Sequence, residues 1–366
     1  MKTILYCAST TGHLRSFHLP YLRALLDDGY RVTTAAFGPA EDLPEGVSHL
    51  DVPFTKRFFS PRNLGAALRM ARELRRARYD LILTHTSLAA FFVRLAVLLT
   101  GKRDTRVVNT VHGYLFGESV SGLREKLLLA AERLTAPVTD DILVMNAEDE
   151  RIARRYRLCR GQVARIPGMG VPPADLHPPT EQERAEARAA LSIRSDAFVM
   201  VYAAEFSVRK NQRFLIENLS SLPEDTVLLL PGQGDKLEEC RALAKQLGLY
   251  ERVLFPGYED DPRVCLWAAD VCVSSSHSEG LPFHVMEAMA GGIPCLLSRV
   301  KGHTDLAESG AGLLFDDGDA DAFRREVLRL ASDPALRRRL GRAAQEGFPA
   351  FRLDRVLPEV LPLFRP

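Results

Sequence analysis

Ser276-His277-Ser278-Glu279-Gly280-Leu281-Pro282-Phe283-His284-Val285-Met286-Glu287-Ala288-Met289-Ala290 is the stretch from which the architecture of the chain is read. It follows Ala268-Ala269-Asp270-Val271-Cys272-Val273, a run apolar enough to be a buried parallel strand. Gly280 and Pro282 mark a turn, and Phe283 to Ala290 favours a helix that Gly291-Gly292 ends. The unit is therefore strand, Gly-containing loop and helix start. One carboxylate lies in the loop and a second lies one turn into the helix. A helix start presents unpaired N–H groups and a positive dipole end, which suit an anion such as a diphosphate. Carboxylates repel phosphate but accept hydrogen bonds well from hydroxyls. Phosphate and hydroxyls together describe a nucleotide sugar. Taken singly, either Glu also reads as a solvated or helix-capping acid of an ordinary α/β unit.

Outward from that stretch, length and composition set bounds. A chain of 366 residues exceeds one comfortable core, and two domains are expected. The apolar fraction of 46% suits a globular protein. The six cysteines show no C-x-x-C spacing and several sit in strand-like runs, so they are expected to be reduced, in a cytosolic protein, rather than disulfide-bonded or zinc-bound. Met1-Lys2-Thr3-Ile4-Leu5-Tyr6 opens straight into a strand, and no signal peptide is expected. Arg94 interrupts the longest apolar run, Leu88 to Leu99, so no membrane span is expected. Lys and Arg exceed Asp and Glu up to Gly168, and the balance reverses afterwards. That asymmetry either sets the first half against an anionic surface or is scatter over two soluble domains.

Strands are expected at residues 3–9, Tyr30 to Ala36 and Val47 to Val52, with a turn at Thr10-Thr11-Gly12-His13-Leu14 and one helix from Ser16 to Leu26. Phe54-Thr55-Lys56-Arg57-Phe58-Phe59-Ser60-Pro61 mixes aromatics with cations. With no broader basic stripe it fits an acceptor loop or a membrane edge better than nucleic acid. The helix from Asn63 to Arg78 is Arg-rich, either as a solvated face or against anionic lipid. Further strands are Leu81 to Thr86, Arg106 to Val111 and Asp141 to Met145. In doubly wound sheets ligands lie beyond the carboxyl ends of strands, which singles out Thr10–Gly12, His85 and His112. A lone His there is as readily structural. Gly168 to Pro179 reads as a linker, and a second α/β domain restarts with Phe198 to Ala204. At that strand's exit stand Glu205, Ser207, Arg209, Lys210 and Asn211, whose cations suit a diphosphate.

Taken together, the apolar strand, Ser-rich turn, Glu-Gly-Leu-Pro, Glu-Ala-Met-Ala, and Gly302 ahead of Asp305 resemble the Glu-x7-Glu signature of retaining family-4 glycosyltransferases. Ile166-Pro167-Gly168-Met169-Gly170-Val171 looks like that family's interdomain segment. Val111-His112-Gly113-Tyr114 and Ser16-Phe17-His18-Leu19-Pro20 resemble its bacterial exopolysaccharide and capsule subgroup. The resemblance spans nearly the whole chain and implies the α/β GT-B fold, two facing Rossmann-like domains with a central cleft. It implies an acceptor-binding domain over 1–170, a nucleotide-sugar domain over 171–348, and a helix over 349–366 crossing back to the first domain.

The resemblance also implies roles. Glu287 would bind the ribose hydroxyls, and Glu279 would lie near the donor sugar and its developing positive charge. Lys210 would hold the diphosphate as it leaves. Gly12 would admit a backbone N–H to the same phosphate, and His112 would contact the sugar or offer its carbonyl near the anomeric carbon. Gly280, Leu281 and Pro282 would border the donor. Many relatives carry Arg where this chain has Glu205; Arg209 is the nearest replacement, beside Asn211. The implied reaction is retaining hexosyl transfer from a UDP-hexose or UDP-N-acetylhexosamine to a glycan or lipid-linked saccharide, in cell-surface polysaccharide synthesis. It would take place in the cytoplasm or on the inner face of the plasma membrane. No Asp-x-Asp motif is read at a strand end, so no essential metal and no cofactor beyond the donor are expected. Two alternatives stay open: a nucleotide-sugar epimerase of the same fold, and a non-catalytic sugar- or lipid-binding protein.

Overall fold

The computed structural model describes residues 1–55, 60–101, 104–172, 176–258, 261–308, 310 and 312–365. The chain divides into two compact units, Met1–Gly170 with Leu353–Pro366, and Val171–Arg352. Lys56 to Phe59, the centre of the aromatic–basic loop, lie outside the described residues.

The first unit holds a parallel sheet of β1 (Thr3–Thr10), β2 (Arg31–Phe37), β3 (Ser48–Asp51), β4 (Leu81–His85), β5 (Arg106–Val111), β6 (Asp141–Val144) and β7 (Val163–Arg165). Their order is β3-β2-β1-β4-β5-β6-β7. The second unit holds β8 (Phe198–Val201), β9 (Thr226–Leu229), β10 (Val253–Leu254), β11 (Val271–Ser274), β12 (Cys295–Ser298) and β13 (Gly312–Phe315). Their order is β10-β9-β8-β11-β12-β13, again parallel. β4, β8, β11 and β12 are buried along their whole length, as strands covered on both faces must be. Each order reverses once, between β1 and β4 in one unit and between β8 and β11 in the other. At such a reversal the connecting helices leave to opposite faces of the sheet and open a crevice beyond the strand ends.

The expected turn at Thr10–Leu14 is a helix instead. Thr10 is extended, and its hydroxyl accepts the His13 N–H at 3.2 Å, capping the helix Thr11–Phe17. The single helix expected from Ser16 to Leu26 is likewise two, because the backbone leaves helical geometry at His18 before Leu19–Asp27 begins with Pro20 in its first turn. That break turns His18 inward, where it is fully buried.

The last segment packs within the first unit. Leu353–Val360 is helical and Leu361–Phe364 forms a 3-10 turn. Phe364 is buried edge-on against Tyr6 and His85. The Arg106 guanidinium donates to the Arg365 carbonyl at 2.6 Å, and Arg365 pairs with Asp28 at 2.9 Å. The expected start at 349 differs from the division at Leu353. Phe348–Phe351 stays with the second unit, where the Val171 N–H donates to the Phe351 carbonyl at 2.8 Å. No helix among the described residues is long and apolar enough to cross a membrane.

Candidate active site

In the second unit the reversal places the loop after β8 beside the loop after β11. The serine run joins them. Ser275 Oγ donates to the Asn211 carbonyl at 2.8 Å, and the Tyr202 hydroxyl pairs with Ser276 Oγ at 2.6 Å while donating to the Lys210 carbonyl. Ser298, at the end of β12, donates to the Ser276 carbonyl at 2.6 Å. Asn211 is in the left-handed region (φ 53°), a conformation its short polar side chain tolerates, and from it the helix Gln212–Leu219 starts. Gly302 has φ +77°, and a Cβ there would stand 2.5 Å from the Gly280 carbonyl oxygen. Only glycine lets the two loops close to this distance.

These contacts bring Lys210, Arg209 and Glu279 together. Lys210 Nζ donates to Glu279 Oε1 at 2.6 Å, Arg209 to Oε2 at 2.8 Å, and Ser276 Oγ to Oε1 at 2.5 Å. Arg209 also donates to the Ser278 carbonyl at 2.8 Å. Lys210 and Glu279 are buried, whereas Arg209 is exposed. Burial by itself would raise the Glu279 carboxyl, but Lys210 and Arg209 outweigh it and hold the group well below the usual carboxylate range. Burial lowers the Lys210 ammonium, and Glu279 opposes that. Each charge therefore makes the other tolerable, and the three groups sum to a single positive charge. Glu205 is exposed, and its field also favours charged Lys210; it neighbours the cluster without lining up as a phosphate donor.

Gly280, Leu281 and Pro282 are buried in the loop between that cluster and the helix Phe283–Ala290. Glu287 is half-buried on the helix, and among the described residues neither a cation nor a hydrogen-bond donor meets its carboxylate. Burial pushes it up to about 7. Two carboxylates eight positions apart thus stand in opposite states, one paired and ionised, the other unpaired and poised to titrate. His284 and His303 are also buried near Glu279, each with Nε2 unpartnered, and burial lowers both. Neither figured among the expected site residues.

In the first unit the reversal gathers rings. His13, His18, His85 and His112 lie with neighbouring centroids 4.3–5.6 Å apart. Tyr6 stacks on His85 at 4.7 Å and pairs through its hydroxyl with His18 Nδ1 at 2.8 Å. His85 Nδ1 lies 3.3 Å from His112 Nε2. Burial lowers His18, His85 and His112 well below the usual imidazole range, and His13 to about 4. Gly12 is exposed in the first turn of its helix, and a Cβ there meets only Thr10 Oγ1 at 3.9 Å. Among the described residues nothing requires glycine at that position. Thr86, directly after His85, has φ 64°, a strained value for a β-branched residue, and its hydroxyl pairs with Ser9 at 2.5 Å.

The expectation of no Asp-x-Asp at a strand end is corrected: Asp317-Gly318-Asp319 follows β13 closely. Both acids have local work. Asp319 caps the helix Ala320–Ser332, and Asp317 meets His277 Nδ1 at 2.8 Å. A separate pocket lined by Arg188, Asp270 and Arg337 lies at the amino ends of β8 and β9, away from the strand exits. Arg188 there pairs with Asp270 at 2.8 Å, and Arg337 donates to the Leu330 and Ala331 carbonyls.

Two Rossmann-like units, each with a parallel sheet that reverses its order once, are the ground plan of GT-B glycosyltransferases, and the chain belongs to this class. Residues 21–169 match the model of Glycosyltransferase Family 4, and residues 183–347 that of Glycosyl transferases group 1. EpsD of Bacillus subtilis (strain 168), itself named only provisionally as a glycosyltransferase, is 30% identical over 99% of this chain and 96% of its own. The UDP-Gal:alpha-D-GlcNAc-diphosphoundecaprenol alpha-1,3-galactosyltransferase of Escherichia coli is 27% identical over 82% of this chain and 79% of its own. Among solved structures, sucrose-phosphate synthase from Thermosynechococcus elongatus superposes with a TM-score of 0.80 at 22% identity, covering 100% of this chain and 98% of that one. Anabaena HepE in complex with UDP and glucose gives 0.80 at 18%, covering 99% of each chain.

Proposed function

We propose that the protein is a retaining, metal-independent hexosyltransferase. It moves a hexose or N-acetylhexosamine from a UDP-sugar to a lipid-linked saccharide, in exopolysaccharide or capsule synthesis on the cytoplasmic face of the membrane. The observation that carries this reading is the cluster of buried Lys210 and Glu279 with exposed Arg209 at the β8/β11 reversal. Breaking a sugar–diphosphate bond leaves negative charge on the diphosphate. A desolvated ammonium kept charged by a neighbouring carboxylate offsets that charge without a metal. Arg209 supplies the second cation, from the rim. Glu279, already ionised, stabilises the positive charge that develops at the anomeric carbon. Glu287 accepts from the ribose hydroxyls, and the backbone of Gly280, Leu281 and Pro282 borders the donor. The departing phosphate is the base for the incoming hydroxyl. In the other unit Gly12 and the neutral imidazole of His112 line the approach of sugar and acceptor.

Relatives support the substrate classes. The Escherichia coli relative is named for a UDP-galactose donor and a diphosphoundecaprenol-linked acceptor, and HepE was solved with UDP and glucose. The helix Pro61–Arg76 supports the membrane setting, for its outer face sets exposed Leu64 and Leu68 among Arg62, Arg69, Arg72, Arg75 and Arg76. Flotation with liposomes should need anionic lipid and weaken with salt. Equal flotation with neutral lipid would remove the membrane from the proposal.

The first experiment is a thermal-shift panel of nucleotide sugars, since a ligand of the native state raises stability by mass action. Hits are then incubated with a lipid-linked saccharide, and the anomeric configuration of the product is read by NMR. Retained configuration is expected. An inverted product, or isomerised UDP-sugar without acceptor, would replace this reading.

A further inference from the structure

The imidazoles of the first unit are more than packing. The His18 ring uses Nδ1 on the Tyr6 hydroxyl at 2.8 Å, which leaves Nε2 to face the cluster. That nitrogen is buried without a partner, and so is Nε2 of His13. Stacking explains the ring distances but not these nitrogens, because a buried polar atom normally finds a hydrogen bond. One ring nitrogen from each of His13, His18 and His112 lies within 4.8 Å of those of the other two. Around a tetrahedral zinc with bonds of ~2.05 Å, ligand nitrogens stand roughly 3.3 Å apart. Closing the three onto one ion therefore takes ring movements of about an ångström.

The geometry points to a site for a borderline transition-metal ion, zinc above all, formed by His13, His18 and His112 and inhibitory when filled. Three neutral nitrogens with no oxygen donor suit Zn²⁺, Cu²⁺ or Ni²⁺ and not Mg²⁺. The second shell is in place: the Tyr6 hydroxyl fixes the ring of His18, and His85 Nδ1 stands 3.3 Å from His112 Nε2. Of the three rings, His13 and His112 are half-buried and His18 is fully buried. The site itself stands on this geometry alone. Its inhibitory consequence rests on the proposed function, in which His112 lines the approach of the sugar. An ion there would hold the His112 ring and fill that approach with its own water.

The test uses the full chain, stripped with EDTA and dialysed, then titrated with zinc and with cobalt(II). One equivalent of zinc per chain is expected, with visible cobalt bands of a nitrogen- and oxygen-ligated ion. His13→Gln should weaken zinc at least tenfold, since loss of even an outer-shell partner costs about 10–100-fold. Cys159→Ser should change nothing. Diethyl pyrocarbonate labelling of His13 and His112 in the unaltered chain, mapped by peptide mass, should fall when zinc is bound; this arm needs no variant to fold. Sub-stoichiometric zinc, undiminished binding by His13→Gln, or sulfur-to-cobalt charge transfer would overturn the site. In transfer assays zinc should inhibit the unaltered protein, with the inhibitory concentration raised at least tenfold in His13→Gln. Zinc bound at the cluster with transfer undiminished would overturn the inhibitory role, and with it the placing of the sugar beside His112.

Discussion

The two sheet reversals of this molecule solve the same topological problem with opposite chemistry. Beyond β8 and β11 stand charges, Lys210 and Arg209 on Glu279. At the ends of β1 and β4 stand neutral rings, Tyr6 within β1, His13 and His18 after it, His85 closing β4, and His112 just after β5. Position beyond the strand ends makes a place for a ligand; side chains decide what is held there. A charge cluster pays its desolvation through internal pairing and can exchange one partner for a diphosphate. A ring cluster remains uncharged and offers shape, hydrogen bonds and, with the right ion, coordination.

The comparison breaks most visibly if Lys210 is dispensable. Lys210→Ala should lower kcat by about 10²–10³-fold, the usual loss for one preorganised stabiliser of leaving charge. Arg209 still pairs with Glu279 in that variant, so folding by circular dichroism should persist. Activity within tenfold of the unaltered protein would end the claim that the charged reversal carries the chemistry.

Within that reversal, the two carboxylates should separate. Glu287→Ala removes a charged acceptor from ribose hydroxyls, a cost of about 1.5–3 kcal/mol, and calorimetry should show UDP and UDP-sugar weakened alike. Glu279→Gln should lower kcat by roughly tenfold or more, while UDP affinity stays within about threefold, because the cations it releases remain available to phosphate. Equal losses of UDP affinity in both variants would erase the division.

Glu287 also links binding to stability. Its folded-state value of about 7 lies above the ordinary carboxylate, so the folded chain holds a proton that the unfolded chain has lost. The stability it contributes is complete below the unfolded value and lost as pH rises through about 7. Glu287→Gln should therefore raise the melting temperature at pH 8 and leave it unchanged near pH 4, with roughly 3 kcal/mol as the upper bound. UDP affinity of the unaltered protein should fall as pH drops below 7. The histidines of the first unit work the other way, being held neutral in the fold. In EDTA, stability should fall as pH drops below 6.5, by at most about 1.4 kcal/mol per pH unit for each of them and, for His13, only down to about 4. The first unit, which gathers four such histidines compared with His284 and His303 in the second, should melt first in acid. The smallest expected effect is that of EDTA on transfer, which should be none; activity lost to EDTA and restored by magnesium or manganese would reassign the work of Lys210.

The sequence by itself determined most of the local structure. Phe283–Ala290 is a helix over the expected residues, because apolar spacing and the bounding Pro and Gly act over a few residues. It also indicated which strand exits to watch. Short elements were less legible: β12, Cys295–Ser298, directly follows Pro294 and is defined by its neighbours in the sheet. The helix over Thr11–Phe17 depends on one cap from Thr10, which a Gly-containing stretch conceals. Strand order was settled only by the tertiary structure, and everything about charge state followed from it. Lys210 and Glu279 are 69 residues apart along the chain and 2.6 Å apart in space. No local pattern encodes that pairing, nor the gathering of four histidines at and after the ends of β1, β4 and β5 into one cluster. Burial and through-space fields set whether a carboxylate is ionised, and neither quantity exists until the sheets have formed.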